Sequence, residues 1–241
     1  DTIYCLDFDT GEVKWEFSYP CRPGGYAGPR ATPVTDGHRV YMVSQEGEVH
    51  TLDAGSGELL WKADLGEVAN AGKPKWGHSG SAFIASNYVI FNAGRGGVAL
   101  DAATGERVWA GPGGPSGYAT PVLYRHGNEY RALFFTAKEL VVSNAKTGDR
   151  IMAAPWATRF DVNAADPIHD QGLVFLTSNY GVGCGAINVS GASAREEWRN
   201  KAMASHFGTP VLLDGKVYGC NGSPGRGQLV CVDMKSGRTE W

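Results

Sequence analysis

The strongest constraint on this 241-residue chain is one eleven-residue phrase that occurs six times. Four copies are clear: Cys5-Leu-Asp7-Phe-Asp-Thr10-Gly11-Glu-Val-Lys-Trp15, then the stretches from Thr51 to Trp61, Ala99 to Trp109 and Cys231 to Trp241. Two are worn, one running from Val142 through Asn144 and Gly148 to Met152, the other from Ala186 through Asn188 to Trp198, two residues late. The Asp or Asn of the phrase falls at 7, 53, 101, 144, 188 and 233, steps of 43 to 48 residues. A fixed period of this size marks a repeat architecture, in which no unit buries its apolar faces alone.

A second phrase recurs out of step with the first. It reads Ala31-Thr-Pro33, Ser81-Ala82, Ala119-Thr-Pro121, Ala165-Asp-Pro167 and Gly208-Thr-Pro210, and an apolar run follows each. Each period therefore holds four short runs rich in Val, Tyr, Phe and Leu, bounded by Gly, Asp and Asn, which is strand and hairpin punctuation. Asp36-Gly37 and Asp214-Gly215 are tight-turn pairs. The Asp-x-x-Thr/Ser-Gly segment is a further turn, in which the Asp accepts backbone N–H groups and Gly supplies a positive φ. No stretch keeps a capped 3.6-residue apolar period, so almost no helix is expected.

Four strands per period of about 45 residues predicts an all-β fold, a β-propeller of four-stranded antiparallel blades. Five full blades and half a blade are present, with boundaries near 1–18 (partial), 30–65, 79–111, 118–153, 164–199 and 207–241. The recurring Trp15, Trp61, Trp109, Trp198 and Trp241 are expected to wedge between blades, each burial worth roughly 2–3 kcal/mol. Asp7, Asp53, Asp101 and Asp233 are expected to hold the turns. The chain opens on a third strand and closes on the start of a fourth. The reading is a single propeller that is part of a seven- or eight-bladed ring, the alternative being a six-blade ring open at one seam.

Net charge is −3 with 20% charged residues, which argues against a nucleic-acid partner. No apolar run is long enough to span a membrane as a helix. The five cysteines include no Cys-x-x-Cys and no adjacent pair. Cys5 and Cys231 hold a position taken elsewhere by Thr51, Ala99 and Ala186, which predicts small core residues; a Cys220–Cys231 hairpin bridge stays open.

The phrase Ala-x-Asp-x-x-Thr-Gly-x-x-x-Trp resembles the docking repeat of the pyrroloquinoline-quinone-like propellers, and the resemblance covers the whole chain. That superfamily includes quinoprotein alcohol dehydrogenases, the lipoprotein propeller of the bacterial outer-membrane β-barrel assembly machine, and uncharacterised secreted bacterial propellers. Loop phrases such as Gly117-Tyr-Ala-Thr-Pro121, Phe160-Asp-Val-Asn-Ala164 and His206-Phe-Gly-Thr-Pro210 are most similar to the last group. The resemblance implies an extracytoplasmic location, periplasmic or secreted. The dehydrogenases pair adjacent cysteines beside the quinone and hold calcium through a Glu, an Asn and an Asp. This chain has no adjacent cysteines, and that trio cannot be placed in it.

In a propeller, the loops leading into the first strand line one rim of the central channel. Aromatic and cationic residues concentrate there: Tyr26 and Arg30, then Trp76 and His78, Tyr118, then Arg159, Asp161 and Asn163, then Lys201 and His206. These ten are the candidate ligand-binding residues, for a protein or a small anionic or carbohydrate-like ligand. His78, Asn163 and His206 share one repeat position, which also reads as a structural hydrogen-bonding site; Arg30, Tyr118 and Phe207 share the next. Trp76 and Trp156 are candidates to plug the channel mouth and Arg159 with Asp161 to fix a loop, while Asp166 with His169 reads first as a satisfied turn, with an acid–base pair as the alternative. Two oxygens at Asp161 and Asn163 are too few for calcium, and no metal site or catalytic residue is assigned.

The function that follows is a non-catalytic binding or assembly scaffold working through one rim, with no cofactor. The alternatives are a quinoprotein-type dehydrogenase using pyrroloquinoline quinone and calcium, and a polysaccharide-acting propeller enzyme.

Overall fold

The computed structural model describes residues 1–22, 25–26, 28–223 and 225–241. Its strands form six antiparallel sheets, each a meander in chain order. Sheet I has Thr2–Leu6 and Val13–Ser18; sheet II has Val34–Thr35, Arg39–Val43, Glu48–Asp53 and Leu59–Asp64. Sheet III has Phe83–Ala85, Tyr88–Phe91, Val98–Asp101 and Arg107–Ala110, and sheet IV has Val122–His126, Glu129–Phe135, Glu139–Asn144 and Arg150–Pro155. Sheet V has Ile168–Asp170, Leu173–Ser178, Gly183–Asn188 and Arg195–Asn200. Sheet VI has Val211–Leu213, Lys216–Asn221 and Gln228–Asp233, with a bridge from Val232 to Thr239 beginning a fourth strand. One helical turn, Leu65–Val68, is capped by the Asp64 carboxylate. The middle strands carry the core: Tyr41, Leu52, Val89, Leu100, Leu133, Val142, Val174 and Ile187 are all buried.

The repeated phrase builds one object. The Asp Oδ1 accepts the backbone N–H groups two and three residues on at Asp7, Asp53 and Asp101, and the one three residues on at Asp233. The Gly after it takes a φ of +72 to +77° at residues 11, 57, 105, 148 and 237. The tryptophan of each phrase pairs across the ladder with the small residue at its head: Cys5 with Trp15, Thr51 with Trp61, Ala99 with Trp109, Ala186 with Trp198. The register shifts beside each of these pairs, a bulge that turns the strand end.

Each such tryptophan then leaves its own sheet. Trp15, Trp61, Trp109 and Trp198 lie on Gly57, Gly105, Gly148 and Gly237 of the next phrase, so close that a Cβ there would stand 2.5–2.6 Å from the ring. Their Nε1 groups donate to the carbonyls of Ala54, Ala102, Ala145 and Met234 at 3.0–3.1 Å. The sheet IV–V seam is the exception, and both halves of it change together. Met152 stands where the tryptophan would be, and the receiving turn after Asn188 offers no positive-φ glycine among the described residues.

A second fastening runs along the opposite edge, where first strands of neighbouring sheets lie against one another. The backbone N–H of Thr32 donates to Ser81 Oγ, that of Ser81 to Thr120 Oγ1, that of Thr120 to Asp166 Oδ1, and that of Asp166 to Thr209 Oγ1, at 2.6–3.1 Å. One repeat position thus hands a hydrogen bond from sheet II through to sheet VI. Asp166 and His169 form no acid–base pair, the alternative raised for them: the carboxylate is a link in the relay, and the His169 ring stacks on Tyr124 at 4.0 Å. All five cysteines are free thiols, so the Cys220–Cys231 bridge is not formed.

Candidate functional site

The loops that lead into the first strands converge on a cleft of about 640 Å³. Its wall is one repeat position, three before the proline slot, supplied by five sheets in turn: Arg30, Ser79, Tyr118, Ala164 and Phe207. Trp76, Tyr26, Val162 and His206 come from the same loops, Tyr180 and Ser223 from the loops between second and third strands. Because residues of sheets II to VI meet here, the cleft lies on the axis about which the sheets are stacked. Pro23, Gly24 and Ala27 of the first loop, and Pro224, lie outside the described residues.

Five of the ten candidate residues are brought together: Tyr26, Arg30, Trp76, Tyr118 and His206. Tyr26 is 69% exposed and packs at a tilt against Trp76, ring centroids 6.1 Å apart. Lys75 lies 5.1 Å from the Trp76 ring. Arg30 Nη1 donates to Gln45 Oε1. Tyr118 is buried; its hydroxyl accepts from the Trp76 backbone N–H and its carbonyl from Ser79 Oγ. Burial raises the Tyr118 phenol above its ordinary range. His206 Nε2 meets the Tyr180 hydroxyl at 2.8 Å, and its ring stacks on Phe207 at 3.7 Å. Burial lowers the His206 imidazole and raises the Tyr180 phenol, which Tyr26 pushes further up. At neutral pH all three groups are therefore uncharged, and Arg30 is the charged side chain of the lining.

The other five candidates do not line this cleft. His78 is buried against Gly47, and loss of hydration holds its imidazole down to about 4. Asn163 is buried as a bracket: Nδ2 donates to the carbonyls of Thr136 and Trp156, and Oδ1 accepts from Ser178 Oγ. Lys201 is held by the carbonyls of Gly181 and Val182. The expected Arg159–Asp161 pair is not made; Asp161 pairs with Lys138, while Arg159 lies over Phe160 at 5.1 Å. Asp161 instead borders a second, smaller hollow beside Tyr118. Trp156 does not plug the channel mouth: it is 1% exposed, bonded to Ser178 Oγ and covered by Arg199.

Ser79, Val162, Ala164, Tyr180, Phe207 and Ser223 complete the lining beyond the ten candidates. For Ser79 and Phe207 a signal existed, because they hold the same repeat position as Arg30 and Tyr118. For Tyr180 the signal was its place in a loop between second and third strands, which shares this rim; its backbone φ is +59°. Among the described residues no three His, Cys, Asp or Glu side chains gather in a way that could hold a metal ion. Among the described residues no helix is long and apolar enough to cross a membrane.

Comparison with known proteins places this geometry. The chain is 25% identical over 227 residues to the outer membrane protein assembly factor BamB of Burkholderia pseudomallei, covering 87% of this chain and 54% of that protein. It superposes on the crystal structure of BamB from Moraxella catarrhalis with a TM-score of 0.67 at 15% identity, covering 96% of this chain and 64% of the other. The quinohemoprotein alcohol dehydrogenase of Comamonas testosteroni gives a TM-score of 0.66 at 14% identity, covering all of this chain and 57% of the other. The chain thus spans about half to two thirds of the length of these proteins. A family model described as outer membrane protein assembly factor BamB matches residues 1–241, and the chain belongs to that family of quinoprotein-like β-propeller repeat proteins.

Proposed function

We propose that the protein is a non-catalytic, extracytoplasmic propeller that serves as a binding or assembly scaffold through the loops of one rim. The observation that carries this reading is the axial cleft. Five sheets present the same repeat position to it, yet with five different side chains: Arg30, Ser79, Tyr118, Ala164 and Phe207. A fold that keeps its fastenings constant and varies one rim position is built to recognise something there. The relatives' description as outer membrane protein assembly factors supports a protein partner and an extracytoplasmic location.

The dehydrogenase alternative is poorly matched by these residues. The cleft lining carries no carboxylate, whereas calcium takes roughly six to eight oxygen ligands. We also propose that the six sheets are blades of one larger ring. The Gly11 turn repeats the geometry of the four seated glycines, and nothing lies within 4 Å of a Cβ built there.

The test is site-specific photo-crosslinking in bacteria that make the full protein, with a crosslinker at Phe207 or, on the opposite rim, at His38. A discrete protein adduct from Phe207 but not from His38, recovered outside the cytoplasm, is expected. Adducts from His38 alone, a cytoplasmic location, or alcohol-dependent dye reduction after loading with pyrroloquinoline quinone and calcium would each overturn it.

A further inference from the structure

The cleft also has a chemistry of its own. Its mouth exposes flat aromatic faces: Tyr26 at 69%, Phe207 at 56% and Trp76 at 39%. Apolar rings held in water at the lip of a cavity are unfavourable unless something covers them. The same lining carries the hydroxyl groups of Tyr26, Tyr180, Ser79 and Ser223. At about 640 Å³ the cavity lies in the roughly 300–1,000 Å³ range of small-ligand sites.

Charge narrows the ligand. An aromatic cage with a carboxylate would take a cation, but here Arg30 is the charged lining residue and Lys75 already lies on Trp76. Only Nη1 of the Arg30 guanidinium is engaged, by Gln45, among the described residues. Its remaining donors suit a carboxylate. Shape narrows it again. The aromatic lining offers no open parallel slot: Tyr26 and Trp76 meet at 50° and Tyr180 and His206 at 88°, while the near-parallel His206 and Phe207 rings are closed on each other at 3.7 Å. A planar acid needs a parallel slot, whereas a puckered ring offers C–H faces in several directions. The lining is loop throughout, so an extended peptide finds no strand edge to extend.

We propose that the cleft binds an acidic sugar, a carboxylated pyranose within an oligosaccharide, with the ring against Trp76 and Tyr26 and the carboxylate on Arg30. This rests on the reading of the rim as a recognition face and names its small ligand.

The test is calorimetric titration of the full protein with trigalacturonate and with its methyl ester, the same rings without charge. The acid is expected to bind at least tenfold more tightly than the ester. Arg30→Gln should remove that difference. Trp76→Ala should weaken both by fivefold or more, as should Tyr26→Ala, whose exposed side chain is least able to affect folding. Equal affinity for acid and ester, binding of neither, or tighter binding of an acidic aromatic peptide would overturn the proposal. If the sugar fails while Phe207 still crosslinks to a protein, the ligand assignment falls and the scaffold reading stands.

Discussion

The seam between Trp61 and Gly105 permits a quantitative test of how the blades are joined. Gly105 has a φ of +75°, and a Cβ there would stand 2.5 Å from Trp61 Cε3 and 2.7 Å from Cδ2. Gly215 supplies the control: its φ is +73°, and nothing lies within 4 Å of its Cβ position. Gly215→Ala should therefore cost only the left-handed backbone penalty, about 1–2 kcal/mol. Gly105→Ala carries the same penalty and must also move the indole. That breaks its bond to the Ala102 carbonyl, worth about 0.5–1.5 kcal/mol. It also re-exposes part of a nearly buried ring, about 1–2 kcal/mol more. The expected total is about 3–5 kcal/mol.

Trp61→Ala alone should cost about 3–5 kcal/mol, the range for deleting a large buried aromatic. With the indole gone, adding Gly105→Ala should cost no more than Gly215→Ala does, leaving a coupling of about 2 kcal/mol in the double-mutant cycle. Urea unfolding followed by circular dichroism reads all four proteins, with an unchanged slope as the check on comparability. If Gly105→Ala and Gly215→Ala agree within about 0.5 kcal/mol, or the cycle is additive to that margin, indole and glycine are not a seat and plug.

Two further outcomes concern protonation. His78 is held neutral in the fold, with its pKa down at about 4, so stability is full above the unfolded value near 6.5 and falls as the pH drops toward 4, by about 3 kcal/mol in all. His78→Gln should flatten the urea midpoint across that window. Asp166 is the reverse case: burial holds its carboxyl above the ordinary range, so the fold favours its protonated form and ionisation costs stability as the pH rises past the unfolded value. Asp166→Thr, which supplies the hydroxyl found at Thr120 and Thr209, should raise the urea midpoint at pH 7, with the gain shrinking as the pH falls through the raised folded value and gone below the unfolded carboxyl value.

The blade architecture was readable because its cause is local and repeated. The turn of Asp53 to Gly57 and the wedge at Trp61 are written in one short phrase, and each copy is independent testimony to the same geometry. The relay through Thr32, Ser81, Thr120, Asp166 and Thr209 was equally periodic, yet its meaning was hidden. Its bonds cross to residues 39 to 49 positions away, and a threonine before a proline reads as ordinary turn chemistry. The cleft was half readable. Composition finds aromatic and cationic loops but not which way a loop residue faces: Asn163 is a buried bracket and His78 is buried against Gly47, the structural alternative that their shared repeat position offered. Trp156 misled for a related reason: a large indole in a rim loop can cap the channel or anchor the loop, and the buried Ser178 hydroxyl that decides between these is 22 residues away.

These two fastenings explain how such a scaffold can change its ligand without changing its fold. The outer one, indole on glycine at four seams, and the inner one, amide to side-chain oxygen from sheet II to sheet VI, hold opposite edges of the sheets. Neither passes through the residue three before the proline slot. That residue is only two positions from the relay, so its backbone is fixed by the inner fastening, while its side chain is free to be Arg30, Ser79, Tyr118, Ala164 or Phe207. The position is thus anchored by its backbone while its side chain belongs to neither fastening, which is the combination a recognition site needs. Substitutions there should alter what binds while leaving the blades joined; substitutions at Thr120 or Gly105 should do the opposite. The separation is physical, because the two sets of residues share no hydrogen bond through which the loss of one side chain would reach the other.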